Sequence, residues 1–325
     1  MMLVNEDKKN KNKNAKLDIH HKKNKTRKQF KKATCSPFIQ DKLSKTKKHS
    51  RKQFSFSCYD EEMLDILREA WNKRHYDRQI KDNDYKNIWK SLRENMSNVC
   101  DIESCWYKEL LSKSNNKLNK RINKIFAPSK PRLLRENPDN VIDSLDIDNI
   151  MKQYEQLYPH FRFIGPSPLD YDTHLFNGEC VWQELCEFKL KKYIDQNISV
   201  IGVIFNLDNH DQDGSHWVAI IIDLNKKQIC FFCSYGSEPE KQHIKFIEEV
   251  QKQGKDLGIN LKYKMNKHEY QGDTNECGFY CMYVIINIIH GKSFERIVGK
   301  KKKKKHLFGD ELMNKLRLKY FYNDD

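Results

Sequence analysis

The sequence predicts an α+β protein: a central, mostly antiparallel sheet flanked by helices, preceded by a helical arm domain. Three observations carry this expectation. Residues 199–205, 217–222 and 228–232 are three apolar runs in close succession, each of strand length. Three- and four-residue apolar periodicities, the signature of helices, lie on both sides of them. The charge is also uneven. Residues 1–57 hold 18 Lys or Arg against 4 Asp or Glu, while the rest of the chain holds 42 against 41. A nearly neutral folded part therefore follows a strongly basic leader.

The elements follow in order. Residues 1–57 are expected to form a disordered basic arm, because a run such as 22–28 has no apolar surface to bury. From Tyr59 to about Ser112, Met63, Ile66, Leu67, Ala70 and Trp71 recur at helical steps, and Trp89 and Leu92 continue on a second helix. Pro128 and Pro131 then break the pattern, which sets a helical domain at 58–131 and a second domain at 132–299. The second domain opens on an amphipathic helix that buries Ile150, Met151, Tyr154 and Leu157, with Asp146 or Asp148 as its N-cap. Gly165-Pro166-Ser167-Pro168 reads as a turn, and residues 180–193 as one helix. The second and third strands join through a hairpin at 223–227. A charged helix at 241–253, a strand at 261–265 and a very apolar helix at 277–289, stopped near Gly291, come next. Residues 300–325 hold six consecutive lysines, read as a solvated loop, and a last amphipathic helix at 310–320.

Several function classes are excluded by composition. No apolar run reaches the roughly 18 residues that span a bilayer. The opening Met1-Met2-Leu3-Val4 runs straight into charged residues, without the apolar core of a signal peptide. Neither a membrane protein nor a secreted one is expected. The ten cysteines are accordingly expected as thiols and not as disulfides. Cys230-x-x-Cys233 has a zinc-ligand spacing but lacks a second pair, so no metal and no cofactor are expected. The basic arm is expected to be drawn to nucleic acid by counterion release, with no reading of sequence.

The residues that suggest chemistry are His216, Gln271 and Cys277. His216 heads the second strand, after the turn at 211–215. Cys277 opens the apolar helix, where unpaired N–H groups and the helix dipole favour a thiolate and hold a developing oxyanion. Gln271 lies six residues earlier and can add a side-chain N–H to that hole. Gly278 is expected to permit close approach of substrate backbone, and Trp217 to pack beside the site. Each residue alone has an ordinary structural explanation; the combination changes the odds.

Three segments carry a resemblance: residues 214–223 with His216-Trp217, residues 231–236 (Phe-Phe-Cys-Ser-Tyr-Gly), and residues 271–278 with Gln271 and Cys277-Gly278. Together they resemble the adenovirus-protease and SUMO-protease superfamily of cysteine peptidases, whose members run His, Asp or Asn, Gln, Cys along the chain. Cys100 to Cys105, Phe126-Ala127-Pro128 and Ile147-Asp148 are further similar to the branch of large DNA viruses. The resemblance implies Cys277 as nucleophile, His216 as base, and Gln271 as an oxyanion donor. It also implies a glycine-accepting channel bordered by Trp217.

The family's Asp or Asn falls on Cys233, and a thiol is a weak partner for an imidazole. The Ser234 hydroxyl or a water is the neighbouring substitute. The implied function is cleavage of viral structural polyproteins at Gly-Gly-X sites during particle maturation. The substrate is then a polyprotein or a glycine-tailed protein, and the implied location is the virion and the viral factory in the host cytoplasm. A SUMO or ubiquitin-like-modifier protease, a catalytically impaired module that grips glycine-containing tails, and a basic nucleic-acid-binding protein are the alternatives. The neutral folded part argues against the last.

Overall fold

The computed structural model describes residues 34–37, 39–40, 54–111, 125–176, 178–299 and 308–321. Three helices come first: α1 (Glu61–Arg74), α2 (Tyr85–Met96) and α3 (Glu103–Leu111). Asp60 and Asp84 cap the first two, each accepting a backbone N–H two residues into its helix. Their apolar faces meet in one cluster around Tyr59, Leu67, Trp71, Leu92, Trp106 and Phe126. Within it the buried Glu103 carboxylate accepts from Ser57 Oγ (2.8 Å), Cys58 N–H (2.9 Å) and Trp89 Nε1 (2.8 Å), which satisfies a charge that would otherwise be costly to bury.

The packed chain begins before residue 58. Cys35 pairs with Phe126 as a β-bridge, Ser36 donates its N–H to Ile125 O (2.8 Å), and Ile39 is buried. The rest of the expected arm, residues 1–33, 38 and 41–53, and the lysines at 300–305 lie outside the described residues.

The sheet sits after two more helices, α4 (Arg132–Glu136) and α5 (Ser144–Leu157). The N-cap of α5 is Asp143, not Asp146 or Asp148. Asp143 and Asp146 form a reciprocal capping box, so Asp146 fills the third helical position. Then come β1 (Phe161–Ser167), α6 (Gln183–Cys186), α7 (Leu190–Asp195), β2 (Val200–Asn206), β3 (Trp217–Asp223), β4 (Gln228–Cys233), α8 (Lys241–Asp256), β5 (Lys262–Met265), α9 (Cys277–Ile289), α10 (Phe294–Val298) and α11 (Asp310–Tyr320).

The strands lie in sequence order, β1 to β5. The central pairs β2/β3 and β3/β4 are antiparallel, as expected, and the two outer pairs are parallel, so the sheet is mixed with an antiparallel centre. β1 replaces the expected turn. Gly165 has φ +101°, and a Cβ there would lie 2.9 Å from Ile204 O, so only glycine fits against β2. The register shifts between Ile164 and Ser167, which places Pro166 at an irregularity on an edge strand, where its missing N–H costs no ladder bond. The helix expected over 180–193 is two short ones. Residues 180–182 instead pair back to 171–174, and Gln253 of α8 takes Leu190 N–H and gives to Phe188 O at the break.

Strand alternation sorts the sheet into two cores. Ile204, Ala219, Ile221 and Phe232 face α5, α9, α10 and α11. Val203, Val218, Ile220 and Phe231 face α6, α7 and α8. Each such Val, Ile or Phe side chain contributes about 1.5–3 kcal/mol on burial. Helix α9 is buried nearly all round, which explains its unbroken apolar sequence.

Six of the ten cysteines are paired: Cys35–Cys58, Cys100–Cys105 and Cys180–Cys186, with Cα separations of 5.3, 5.7 and 6.3 Å. This corrects the expectation of free thiols. The fold brings each pair within bridging distance, which spacing in the sequence does not reveal. Cys230, Cys233, Cys277 and Cys281 are free and buried.

Candidate active site

The start of α9 and the start of β3 meet at one end of the sheet. Cys277, the first residue of α9, is nine-tenths buried and reaches a cleft of about 420 Å³. Ile142, Pro166, Asn206, Gly214 and Trp217 line that cleft with it. One turn into α9, Cys281 donates its thiol to Trp217 O at 3.3 Å, stitching the helix to the strand. Trp217 is half-buried and gives its indole N–H to Ile142 O at 3.3 Å, which fixes it as a wall of the cleft.

His216 immediately precedes this strand and is buried. Its Nε2 lies 3.4 Å from Cys233 Sγ, the last residue of β4. Its ring stacks on Tyr235, with centroids 4.8 Å apart and planes 24° apart. Cys233 is itself held by Asn266, whose Oδ1 accepts Cys233 N–H (3.0 Å) and whose Nδ2 gives to Cys233 O (2.6 Å). The structure thus places Cys233 against the imidazole, where the resemblance puts an acid. Ser234 does not take that role: its hydroxyl donates to Gln271 Oε1 at 2.7 Å.

That bond orients the Gln271 amide. Its Nε2 then gives to Thr274 O (2.5 Å) and Tyr235 OH (3.2 Å), so both donors are engaged. The loop from Gln271 to Glu276 is pinned from α11. Asp310 accepts from Gly272 N–H (3.0 Å), Thr274 Oγ1 (3.1 Å) and Tyr280 OH (2.8 Å). Arg317 gives its Nε to both oxygens of Glu276 (2.8 and 2.9 Å) and Nη1 to Asn140 O (2.7 Å).

Two expectations change here. Burial pushes the Cys277 thiol up; the N–H groups of Trp217, Gly278 and Cys277 itself oppose this but are smaller. Burial also lowers His216 to about 4, so the resting pair is a neutral thiol and a neutral imidazole. The helix start alone does not produce a thiolate, because desolvation outweighs it. Gly278 has a packing reason besides the expected substrate one: a Cβ there would meet Ile142 Cδ1 at 2.7 Å, so the glycine lets residue 142 close over the start of α9.

Of the residues expected from the sequence, His216, Cys233, Trp217 and Cys277 gather at this end of the sheet, and Gln271 joins them through Tyr235. Asn266, Tyr235, Asp310 and Arg317 were not foreseen. Tyr235 lies inside a quoted motif; the others act from positions with no pattern of their own. Among the described residues, His174, Cys180 and Cys186 are the three His, Cys, Asp or Glu side chains that converge as metal ligands do, and two of them are bonded to each other.

A cysteine at the head of a buried helix, and a histidine at the head of the strand stitched to it, make this the fold of a cysteine peptidase. The chain belongs to the Ulp1 protease family: the pattern of that family's C-terminal catalytic domain matches residues 149–324. A protein of Acanthamoeba polyphaga mimivirus described as a thiol protease is 38% identical over 159 residues, covering 49% of this chain and 51% of that one. The cysteine protease of African swine fever virus is 23% identical over 250 residues, covering 73% of this chain and 88% of its own. The match therefore spans about half the length of the mimivirus relative. The crystal structure of the African swine fever virus protease superposes with a TM-score of 0.58 at 17% identity, over 89% of this chain and 95% of that one. It therefore shares the fold, the helices before the sheet included.

Proposed function

We propose that the chain cuts viral structural polyproteins at Gly-Gly-X sites during particle maturation, in the virion or the viral factory. The observation that carries the peptidase reading is Cys277 at the cleft, one turn before the thiol bonded to Trp217 O. In this reading Cys277 attacks the scissile carbonyl as His216 takes its proton. The Cys277 N–H and Gln271 Nε2 receive the oxyanion, which displaces the long bond to Tyr235 OH. His216 then gives its proton to the leaving amine, and water releases the acyl group. Trp217 narrows the cleft toward glycine. The chain contains no Gly-Gly pair, so this specificity spares the enzyme itself.

Peptides with Gly-Gly-X sites test it. The natural chain is expected to cut, Cys277→Ala to be inert, and Cys233→Asp to be faster. A natural chain that leaves them whole, or a Cys277→Ala that cuts as well, sinks the reading.

Two alternatives each have an observation behind them. Some isolates' versions of the African swine fever virus relative are named SUMO-1 cysteine protease, which favours a modifier substrate. The weak Cys233 partner favours a module that binds glycine-containing tails without cutting. Cleavage of modifier fusions in preference to polyprotein sites supports the first. Binding without cleavage, with Cys233→Asp restoring cleavage, supports the second.

A further inference from the structure

The imidazole of His216 needs an orienting partner, and its family partner is missing. A thiol at 3.4 Å defines the ring's direction poorly, since sulfur is a weak and diffuse hydrogen-bond partner. We propose that Tyr235 supplies the orientation instead, as a positioning residue for His216. The proposal rests on the peptidase reading for its meaning, but its geometry stands apart from it.

Three contacts make the case. The Tyr235 ring lies almost parallel to the imidazole, at 4.8 Å between centroids, and so restricts rotation of the ring plane. In the resting site the Tyr235 hydroxyl accepts from Gln271 Nε2 at 3.2 Å, which ties the far end of the phenol to the loop that leads to Cys277 until an oxyanion takes that donor. Its backbone is fixed by a tight turn: Gly236 N–H gives to Cys233 O at 2.9 Å, and Gly236 at φ +71° lies against the His268 backbone. Cys233, Ser234 and Tyr235 are consecutive, so one short segment touches Nε2, the ring face and Gln271. Tyr235 is 42% exposed, which is unusual for a ring stacked on a buried histidine. Its position is explained by the contacts it makes, not by apolar burial.

If Tyr235 substitutes for the acid, its importance must fall when the acid is restored. The test is a double-mutant cycle of Tyr235→Ala with Cys233→Asp, plus Tyr235→Phe, which keeps the ring. Turnover of a Gly-Gly-X peptide is the first readout. Tyr235→Ala is expected to lower kcat about five- to tenfold with KM little changed, the worth of one aromatic pair. Tyr235→Phe should stay within about twofold, and in the Cys233→Asp background Tyr235→Ala should cost about twofold or less.

The second readout is independent of cleavage: the His216 ring signals in NMR spectra of histidine-labelled chain, assigned with His216→Gln. One sharp set is expected for the natural chain and Tyr235→Phe, broadened or multiple signals for Tyr235→Ala, and one sharp set again for Tyr235→Ala with Cys233→Asp. A sharp, single His216 in Tyr235→Ala overturns the proposal, as does an equal loss of kcat in both backgrounds. A natural chain that cuts nothing while His216 responds as described overturns the peptidase reading and leaves the positioning role standing.

Discussion

His216 and Cys277 both rest with neutral side chains. A histidine held near 4 stays unprotonated, and so competent as a base, well below the pH at which an ordinary histidine takes up its proton. The acid limb of kcat/KM is therefore expected close to pH 4 and not near 6.5. An aspartate at 233 reverses the sign. Its carboxylate beside Nε2 favours the imidazolium and raises His216, which moves the acid limb to higher pH by about one to three pH units. The same imidazolium favours the Cys277 thiolate, so the rate should rise at neutral pH. A pH–rate profile of the two forms decides the matter. An acid limb near 6.5 in the natural chain, or no movement in Cys233→Asp, would mean that His216 is more hydrated than its burial implies. The weak partner and the low basicity are thus one feature. An acid at 233 would both orient the ring and hold its proton, and Tyr235 can replace only the first of these.

At the scale of elements, the loop from Gln271 to Glu276 is shaped by a helix that follows it by about forty residues. The strands β2, β3 and β4, the hairpin between the last two, and the full length of α11 are all legible in the sequence, because alternation and helical periodicity are local signals. The residues at 216, 271 and 277 stand out differently, through short motifs whose combination spans sixty residues of chain. What α11 does is not legible. Nothing near Asp310 or Arg317 announces that they clamp residues 272–276, since the contacts exist only once α11 has docked beside α9. The strand β1 was hidden because Gly165 and Pro166 imitate a turn. The clamp yields a prediction. Arg317→Met strands the Glu276 carboxylate in a buried site, where it is now bound through both oxygens. The expected loss is about 3–5 kcal/mol in urea unfolding. Adding Glu276→Gln removes the stranded charge and should recover most of it. Asp310→Ala should act differently. It frees Gly272 and Thr274 at once, while the Tyr280 hydroxyl keeps Tyr270 O, so turnover should fall by about tenfold or more while the unfolding midpoint moves less. Equal stability losses for Arg317→Met alone and in combination would show that the ion pair is not what holds this helix.

Across the whole molecule, charge and fold are divided. No helix among the described residues is long and apolar enough to cross a membrane, and the chain's formal charge of +15 resides almost wholly in its first 57 residues. The pairing of Cys35 and Ser36 with residues 125 and 126, and the burial of Ile39, redraw that boundary. These residues belong with the helical cluster, and removing everything before residue 58 would unpair Cys58 as well as remove charge. Residues 1–33 are the part to remove. They hold 12 Lys or Arg against 3 Asp or Glu, while residues 34–57 hold 6 against 1. If the basic leader holds the enzyme near genome or core nucleic acid, binding is electrostatic and should weaken as a power of salt concentration, with a slope of about 0.9 per phosphate neutralised. The full chain should bind duplex DNA at low salt with a slope corresponding to several phosphates and with no preference among sequences. A chain that begins at Thr34 should keep its peptidase activity on short peptides, since Cys35 and its bridge to Cys58 remain, and should lose most of that slope. Filter binding across a salt series reads this directly. The same slope in both chains would move the binding face beyond residue 33, to the six basic residues at 34–57 or to the part after them, where the balance of 42 basic and 41 acidic residues gives little reason to look for it.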